Sequence, residues 1–125
     1  MVAALEYLGH LPDETLVYNG HEYTQDNLAF GKHVDPANVG IATLEEIAKK
    51  NAIRTGITTI GNEKEWNVFM RLDSPAVRYA TPIRLFPSCC LWSVTNRKTL
   101  SASDATPKST LMDMLRAQKN EFKAA

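Results

Sequence analysis

Apolar residues recur at helical spacing along most of the chain, and this pattern predicts a mainly helical protein with a small β remnant. The first helix is predicted within residues 1–11. There Val2, Leu5 and Leu8 are three positions apart, and Gly9 supplies a C-terminal cap. The fold class expected from the sequence is therefore mainly α.

A single strand is predicted at residues 15–18, because β-favouring residues stand there between the turn at 11–14 and the Asn-Gly pair at 19–20. One strand cannot form a sheet. We therefore expect this strand either to dock on another segment or to belong to a sheet whose other strands are missing.

The middle of the chain predicts two helices in succession. The first has Thr24 as its cap and ends at Asp35, which precedes a proline. The second starts at Asn38 or at Thr43. Its apolar stripe is formed by Ile41, Leu44, Ile47 and Ala48.

Residues 51–60 are predicted to form a loop, and a further helix is predicted after it. Asn62 and Glu65 have the spacing of a capping box that would open this helix. The apolar residues that follow are expected in the core, and they are Trp66, Phe69 and Met70.

Residues 79–108 show no sustained period, are rich in Ser and Thr and contain three prolines. A structureless stretch of this length is uncommon inside a compact domain, so we expect an irregular, disordered insertion. A last helix is predicted from a cap at Thr110, with Leu111, Met114, Leu115 and Phe122 mostly at helical spacing.

Composition narrows the function classes. The 125 residues suffice for one modest domain, and 14 basic and 14 acidic residues give no electrostatic argument for nucleic acid or an anionic membrane. No apolar run approaches the roughly 20 residues that span a bilayer. The N-terminal residues lack the pattern of a signal peptide, and Cys89 and Cys90 are adjacent rather than in a C-x-x-C motif. We expect a reduced, intracellular protein.

His21 is the first candidate for chemistry, because it follows a Gly-punctuated turn at the end of the predicted strand. It does not open a zinc-protease H-E-x-x-H motif, since position 25 is Gln. His10 and His33 do not complete a two-histidine spacing with it. Spacing alone favours a hydrogen-bonded structural histidine over a metal ligand.

Arg116, Lys119 and Lys123 share one face of the predicted last helix. This face is either a solvated cationic surface near a helix C-terminus or a clamp for a carboxylate. Without further information the solvated surface is favoured.

Three stretches resemble glyoxalase II (hydroxyacylglutathione hydrolase), in a form typical of fungal members. They are residues 8–30, which contain Gly-His-Glu-Tyr-Thr at 20–24, residues 59–71 and residues 115–123. The resemblance covers roughly residues 1–78 and 109–123, and three motifs in the right order make it specific.

The resemblance implies the last helix and strand of a metallo-β-lactamase domain, followed by the helical C-terminal domain of glyoxalase II. The expected division is a hydrolase-domain remnant at 1–22, a helical glutathione-binding domain at 23–78, an insertion at 79–108 and the final helix at 109–125.

The reaction implied by the resemblance is hydrolysis of S-D-lactoylglutathione to D-lactate and glutathione, in the detoxification of methylglyoxal. Two divalent metal ions, zinc or also iron, share the hydroxide that attacks the thioester. His21 matches the last metal-ligand histidine of the family. Tyr23 matches a tyrosine near the glutathione moiety, and Arg116 and Lys119 match the cationic pair that holds the glycine carboxylate.

The family's Thr-His-x-His-x-Asp-His motif is absent from this sequence. One imidazole cannot hold two divalent ions, so we expect the chain not to retain the metals and to be inactive alone. The alternatives are a non-catalytic module that binds glutathione or a partner such as a complete hydrolase chain, and a truncated product without function. The cytosol is the expected location, with mitochondria as the family's other compartment, and neither nucleic acid nor a membrane is an expected partner.

Overall fold

The structure is a computed structural model that describes residues 1–51, 55–81 and 106–122. These residues form six helices and no named strand, which confirms the mainly helical prediction. None of the helices in these ranges has the length and apolar character needed to cross a membrane. The helices are α1 (Val2–Gly9), α2 (Thr24–Val34), α3 (Val39–Lys50), α4 (Ile60–Trp66), α5 (Pro75–Ala80) and α6 (Lys108–Glu121).

The predicted strand at residues 15–18 is instead a single antiparallel bridge between Leu16 and Thr59. The Val17 amide donates to the Thr58 carbonyl at 2.9 Å, so the segment pairs with residues that the sequence predicted as a loop. The pairing cannot lengthen, because α4 begins at Ile60 and the chain turns sharply at Gly56, whose φ is +75°. The predicted strand over residues 15–18 is thus reduced to one bridge. The sequence did indicate correctly that this segment is extended.

The observed starts of α3 and α4 can be compared with the caps that the sequence predicted. Asn38 caps α3 as predicted, and its side chain accepts a hydrogen bond from the Gly40 amide at 2.8 Å. The capping box of α4, however, pairs Thr59 with Asn62 rather than Asn62 with Glu65. Thr59 takes this place because its bridge to Leu16 already holds its backbone extended, as an N-cap requires.

Two predicted caps are also displaced. α2 has Tyr23 at its N-cap, with no side-chain hydrogen bond, and Thr24 is its first helical residue. α6 begins at Lys108 after Pro107, before the predicted cap at Thr110. Proline favours this boundary because it has no amide hydrogen to leave unpaired.

The ends of the predicted insertion at 79–108 are helical. α5 runs to Ala80 and α6 starts at Lys108, so residues 79, 80 and 108 were wrongly assigned to an irregular segment. The middle of that prediction, at 82–105, lies outside the described residues. The proposed domain boundaries at 22 and 78 stay a prediction.

Two apolar clusters form the core, and α2 contributes to both. In the smaller one, Leu28 packs with three residues of α3 and with Trp66. The larger one joins α2 to α5 and α6, and α1 packs against it through Val2 and Leu5. Its buried members are Phe30, Val34, Val68, Leu72, Val77, Leu111, Met112 and Leu115.

Polar contacts join the segments between the helices, and one of them is buried. Asp35, at the end of α2 and 6% exposed, accepts from Arg71 at 2.7 Å. Lys108 pairs with Asp73 at 2.8 Å and with Glu6 at 3.2 Å, which joins the start of α6 to α1 and to the segment before α5. Lys108 holds the pKa of Asp73 below its ordinary value through their hydrogen bond. These contacts fix how α6 returns to the core.

Leu115→Ala tests whether packing of α6 carries the fold. Leu115 is fully buried, so its truncation leaves a cavity and is expected to lower the free energy of unfolding by about 2–5 kcal/mol. Leu8→Ala is the matched control, because Leu8 is 40% exposed and its truncation is expected to change the free energy by about 0.5 kcal/mol or less. Urea denaturation followed by circular dichroism measures both, and equal effects would contradict the assignment of the core.

Gly56→Ala tests the turn opposite the bridge. Gly56 has a φ of +75°, and a Cβ there would lie 2.7 Å from the Tyr18 ring. The left-handed conformation alone is expected to cost about 1–2 kcal/mol with alanine. Gly20→Ala is the control, since a Cβ added at Gly20 would meet no atom within 4 Å and the φ there is not positive. Thermal unfolding measures the stability of both variants. A greater loss of stability for Gly20→Ala than for Gly56→Ala would contradict this description of the turn.

Candidate functional site

A pocket of about 340 Å³ opens between the turn that precedes α2 and the segment around the end of α4. A second pocket, of about 290 Å³, lies between α1 and the segment around residues 69–73. The side chains that matter for its chemistry are His21, Tyr23, Asn27, Glu63, Asn67 and Phe69.

His21 and Tyr23, two of the residues predicted for the site, meet at the mouth of this pocket. Their rings are stacked with centroids 5.5 Å apart and an interplanar angle of 9°. Both side chains are exposed. The Tyr23 carbonyl accepts from the Asn27 amide at 2.9 Å, so the start of α2 places Tyr23 one helical turn before Asn27.

Lys119, on α6, does not itself line this pocket, but it contacts two residues that do. Its ammonium donates to the Asn27 side-chain oxygen and lies 5.8 Å from the centroid of the Phe69 ring. Partial burial lowers the pKa of Lys119, and the charge of Asp26 opposes this shift. Within the described ranges, no carboxylate lies at ion-pair distance from Lys119. The structure thus holds a desolvated cation against two pocket-lining residues.

Arg116 is on α6, three residues before Lys119, and its side chain is exposed. It does not line the pocket, and it has no hydrogen-bond or ion-pair partner among the residues that the structure describes. Lys123, the third cation predicted on this face, lies outside the described residues. Tyr23 and His21 therefore line one pocket, and Lys119 lies against its lining residues Asn27 and Phe69. Arg116 is on the surface of the same helix as Lys119.

The opposite wall is built from α4 and the residue after it. Glu63 accepts from the Asn67 side-chain amide at 2.8 Å and from the Trp66 indole at 3.4 Å. The Asn67 oxygen in turn accepts from the Phe69 amide at 3.0 Å. These contacts hold Asn67 and Phe69 in place along the wall.

Sequence reasoning missed Asn27, Glu63 and Asn67 as pocket residues. It placed Phe69 in the core, and Phe69 does pack against the larger core cluster while it also lines the pocket. For Asn27 a signal was available, because it stands four residues after Tyr23 and therefore on the same helix face. For Glu63 and Asn67 we find no signal, since their approach to the pocket depends on how α4 packs against α2 and α3.

The described residues do not fit a metal centre. They contain no group of three or more His, Cys, Asp or Glu side chains able to hold an ion. The ring of His21 is stacked on Tyr23 and no such group surrounds it. A catalytic metal needs several protein ligands, so His21 cannot form the site with the other described residues alone.

Comparison with known proteins identifies a family whose model matches this chain. Residues 22–122 match the model of the family described as "Hydroxyacylglutathione hydrolase C-terminus". A hydroxyacylglutathione hydrolase from Polaromonas sp. is 42% identical over 73 residues, which cover 58% of this chain and 28% of the relative. One from Nitrosomonas eutropha is 44% identical over 81 residues, covering 62% of this chain and 31% of the relative.

A third relative extends the match to almost the whole chain. The hydroxyacylglutathione hydrolase from Bartonella tribocorum is 33% identical over 126 aligned residues, which cover 98% of this chain and 42% of the relative. The chain thus spans between 28% and 42% of the length of these three relatives. The region matched by the family model includes the pocket residues from Tyr23 onward, Lys119 and Arg116, whereas His21 lies just before it. The chain belongs to the hydroxyacylglutathione hydrolase family and matches the C-terminal region that defines this family model.

Proposed function

We propose that this chain binds the glutathione part of a hydroxyacylglutathione thioester in the pocket beside Lys119. The relatives are hydroxyacylglutathione hydrolases, whose name specifies a ligand with a tripeptide thiol and free carboxylates. Such a ligand needs a concave site with a cation for its carboxylate. The pocket and the ammonium of Lys119 supply both.

The observation that carries this proposal is the half-buried ammonium of Lys119, which has no ion pair among the described residues. Other lysines of the described chain, such as Lys64 and Lys108, pair with carboxylates. Among the described residues, Lys119 instead contacts a neutral amide oxygen and an aromatic face, and the charge of Asp26 acts on it without a direct contact. A partly desolvated cation that lacks a direct ion pair gains from binding an external anion. This is the property expected of a carboxylate-binding lysine.

Arg116 and Tyr23 complete the proposed site. Arg116 lies on the same helix as Lys119 and is free to offer two parallel hydrogen bonds to the same carboxylate. Tyr23, at the pocket mouth, offers a phenol to the peptide part of the ligand. Asn27 holds the Lys119 ammonium and so orients it toward the pocket.

We propose the hydrolase activity for the family's complete site rather than for the described residues alone. In that reaction water cleaves the thioester C–S bond and releases the hydroxy acid and the thiol of glutathione. The family's two metal ions would activate the water. His21 remains our candidate for one ligand of that site, and we assign no step of the reaction to the other described residues.

Lys119→Ala tests the proposed binding site. We expect the Kd for S-methylglutathione, measured by isothermal titration calorimetry, to rise about tenfold or more, because a charge-assisted hydrogen bond is lost. Arg116→Ala is expected to weaken binding in the same direction. Lys50→Ala removes an exposed charge at the end of α3 and serves as the control. Equal affinity of the Lys119 variant and the native chain would overturn the proposal.

Lys119→Arg tests the pH dependence that follows from the lowered pKa of Lys119. The ammonium loses its proton at a lower pH than an exposed lysine, so affinity for the carboxylate should fall as the pH rises through this pKa. The arginine variant keeps its charge and should show a smaller alkaline loss. Titration of the ligand's own groups affects both proteins equally. Identical pH profiles would show that Lys119 does not carry the binding charge.

A further inference from the structure

Glu63 is a charged residue at this pocket that has no ion pair among the described residues. Its half-buried carboxylate lines the wall opposite the start of α2. In the described part of the chain, no lysine, arginine or histidine lies within ion-pair distance of it. The neighbouring Lys64 pairs with Asp13 at 2.7 Å instead.

The contacts of Glu63 come only from neutral donors. One oxygen accepts from Asn67 at 2.8 Å, and the other accepts from Trp66 at 3.4 Å and from the Thr58 hydroxyl at 3.5 Å. The bonds from Trp66 and Thr58 have donor–acceptor distances near the upper limit for a hydrogen bond. A carboxylate can accept about four hydrogen bonds, so Glu63 retains capacity for a further donor. Its charge is oriented by the protein and left unneutralised.

The charges of Lys119 and Glu63 belong to one continuous surface. The Lys119 ammonium lies over Phe69, the Phe69 amide is bonded to Asn67, and Asn67 is bonded to Glu63. The Glu63 carboxylate therefore lines the pocket, and the Lys119 ammonium lies against Phe69 and Asn27, which line it too. Such a site is complementary to a ligand that carries both a carboxylate and an ammonium.

Glutathione has this distribution of charge. Its glycine end carries a carboxylate, and its γ-glutamyl end carries an α-ammonium beside a second carboxylate. With the glycine carboxylate on the cation of α6, the tripeptide extends along the wall that Asn67 and Glu63 form.

We propose that Glu63 receives the γ-glutamyl α-ammonium of the bound ligand and so makes the pocket selective for ligands in which this amine is free. This assignment rests on the proposed glutathione-binding function. It adds the residue that recognises the γ-glutamyl end of the ligand. An ammonium that donates to a half-buried carboxylate makes a charge-assisted hydrogen bond. A ligand without this amine leaves the charge of Glu63 unpaired.

The first test compares two ligands on the native chain. S-methylglutathione carries the α-ammonium, and the matched analogue S-methyl-N-glutarylcysteinylglycine has hydrogen in its place. Calorimetric titration is expected to give about tenfold weaker binding for the analogue. Equal affinities would overturn the role of Glu63 while the dependence on Lys119 would still support the proposed function. Absence of binding for both ligands would overturn the two proposals together.

The second test locates the effect at Glu63. Glu63→Gln keeps an oxygen for the hydrogen bond from Asn67 but removes the charge, so it should bind both ligands with nearly the same, weaker affinity. Glu65→Gln removes an exposed carboxylate from the same helix and should keep the native preference. A Glu63→Gln variant that still discriminates tenfold would overturn the assignment.

Circular dichroism verifies that each variant retains its helices. If Glu63→Gln loses them, Glu63→Asp keeps the charge and withdraws it by one methylene. We expect Glu63→Asp to discriminate less than the native chain does. An unchanged preference in that folded variant would overturn the proposal.

Discussion

The burial of α6 against α2 and α5 is the constraint on which the candidate site depends. Leu111, Met112 and Leu115 are almost completely removed from solvent, and they pack against Phe30 and its neighbours. Lys119 lies about one turn beyond Leu115, so the packing that buries the leucine also brings the ammonium to Asn27 and Phe69. The same helix thus contributes to the core and positions the proposed carboxylate-binding lysine, so a loosened α6 would move this ammonium away from Asn27 and Phe69.

Charge pairing separates structural from candidate functional residues. Asp35 and Arg71, and Lys108 and Asp73, neutralise one another where they join helices. Around the pocket, by contrast, Lys119 and Glu63 are half-buried and have neutral neighbours within the described ranges. Unpaired charges in partly desolvated positions reduce stability, so their presence at both sides of one cavity is typical of a binding site.

Local patterns accounted for much of the fold. The apolar stripe of α3, its cap at Asn38 and its end before Asn51 follow from residues close together in the chain. The predicted boundaries of helices failed where a segment distant in the sequence determines the boundary. Thr59 became the cap of α4 because Leu16, more than forty residues earlier, holds it in an extended conformation. The same contact turned a predicted strand and a predicted loop into a bridge.

The sequence by itself determined the helical class, the family motifs and the candidates His21, Tyr23, Arg116 and Lys119, since periodicity and motif spacing are properties of the linear chain. Only the tertiary structure decided that Lys119 lies against Asn27 and Phe69, which line the same pocket as Tyr23, while Arg116 stays on the helix surface. It also decided that Glu63 and Asn67 form the opposite wall. Burial and the pairing of charges depend on which helices meet, and α2, α4 and α6 meet through long-range packing that no local pattern encodes.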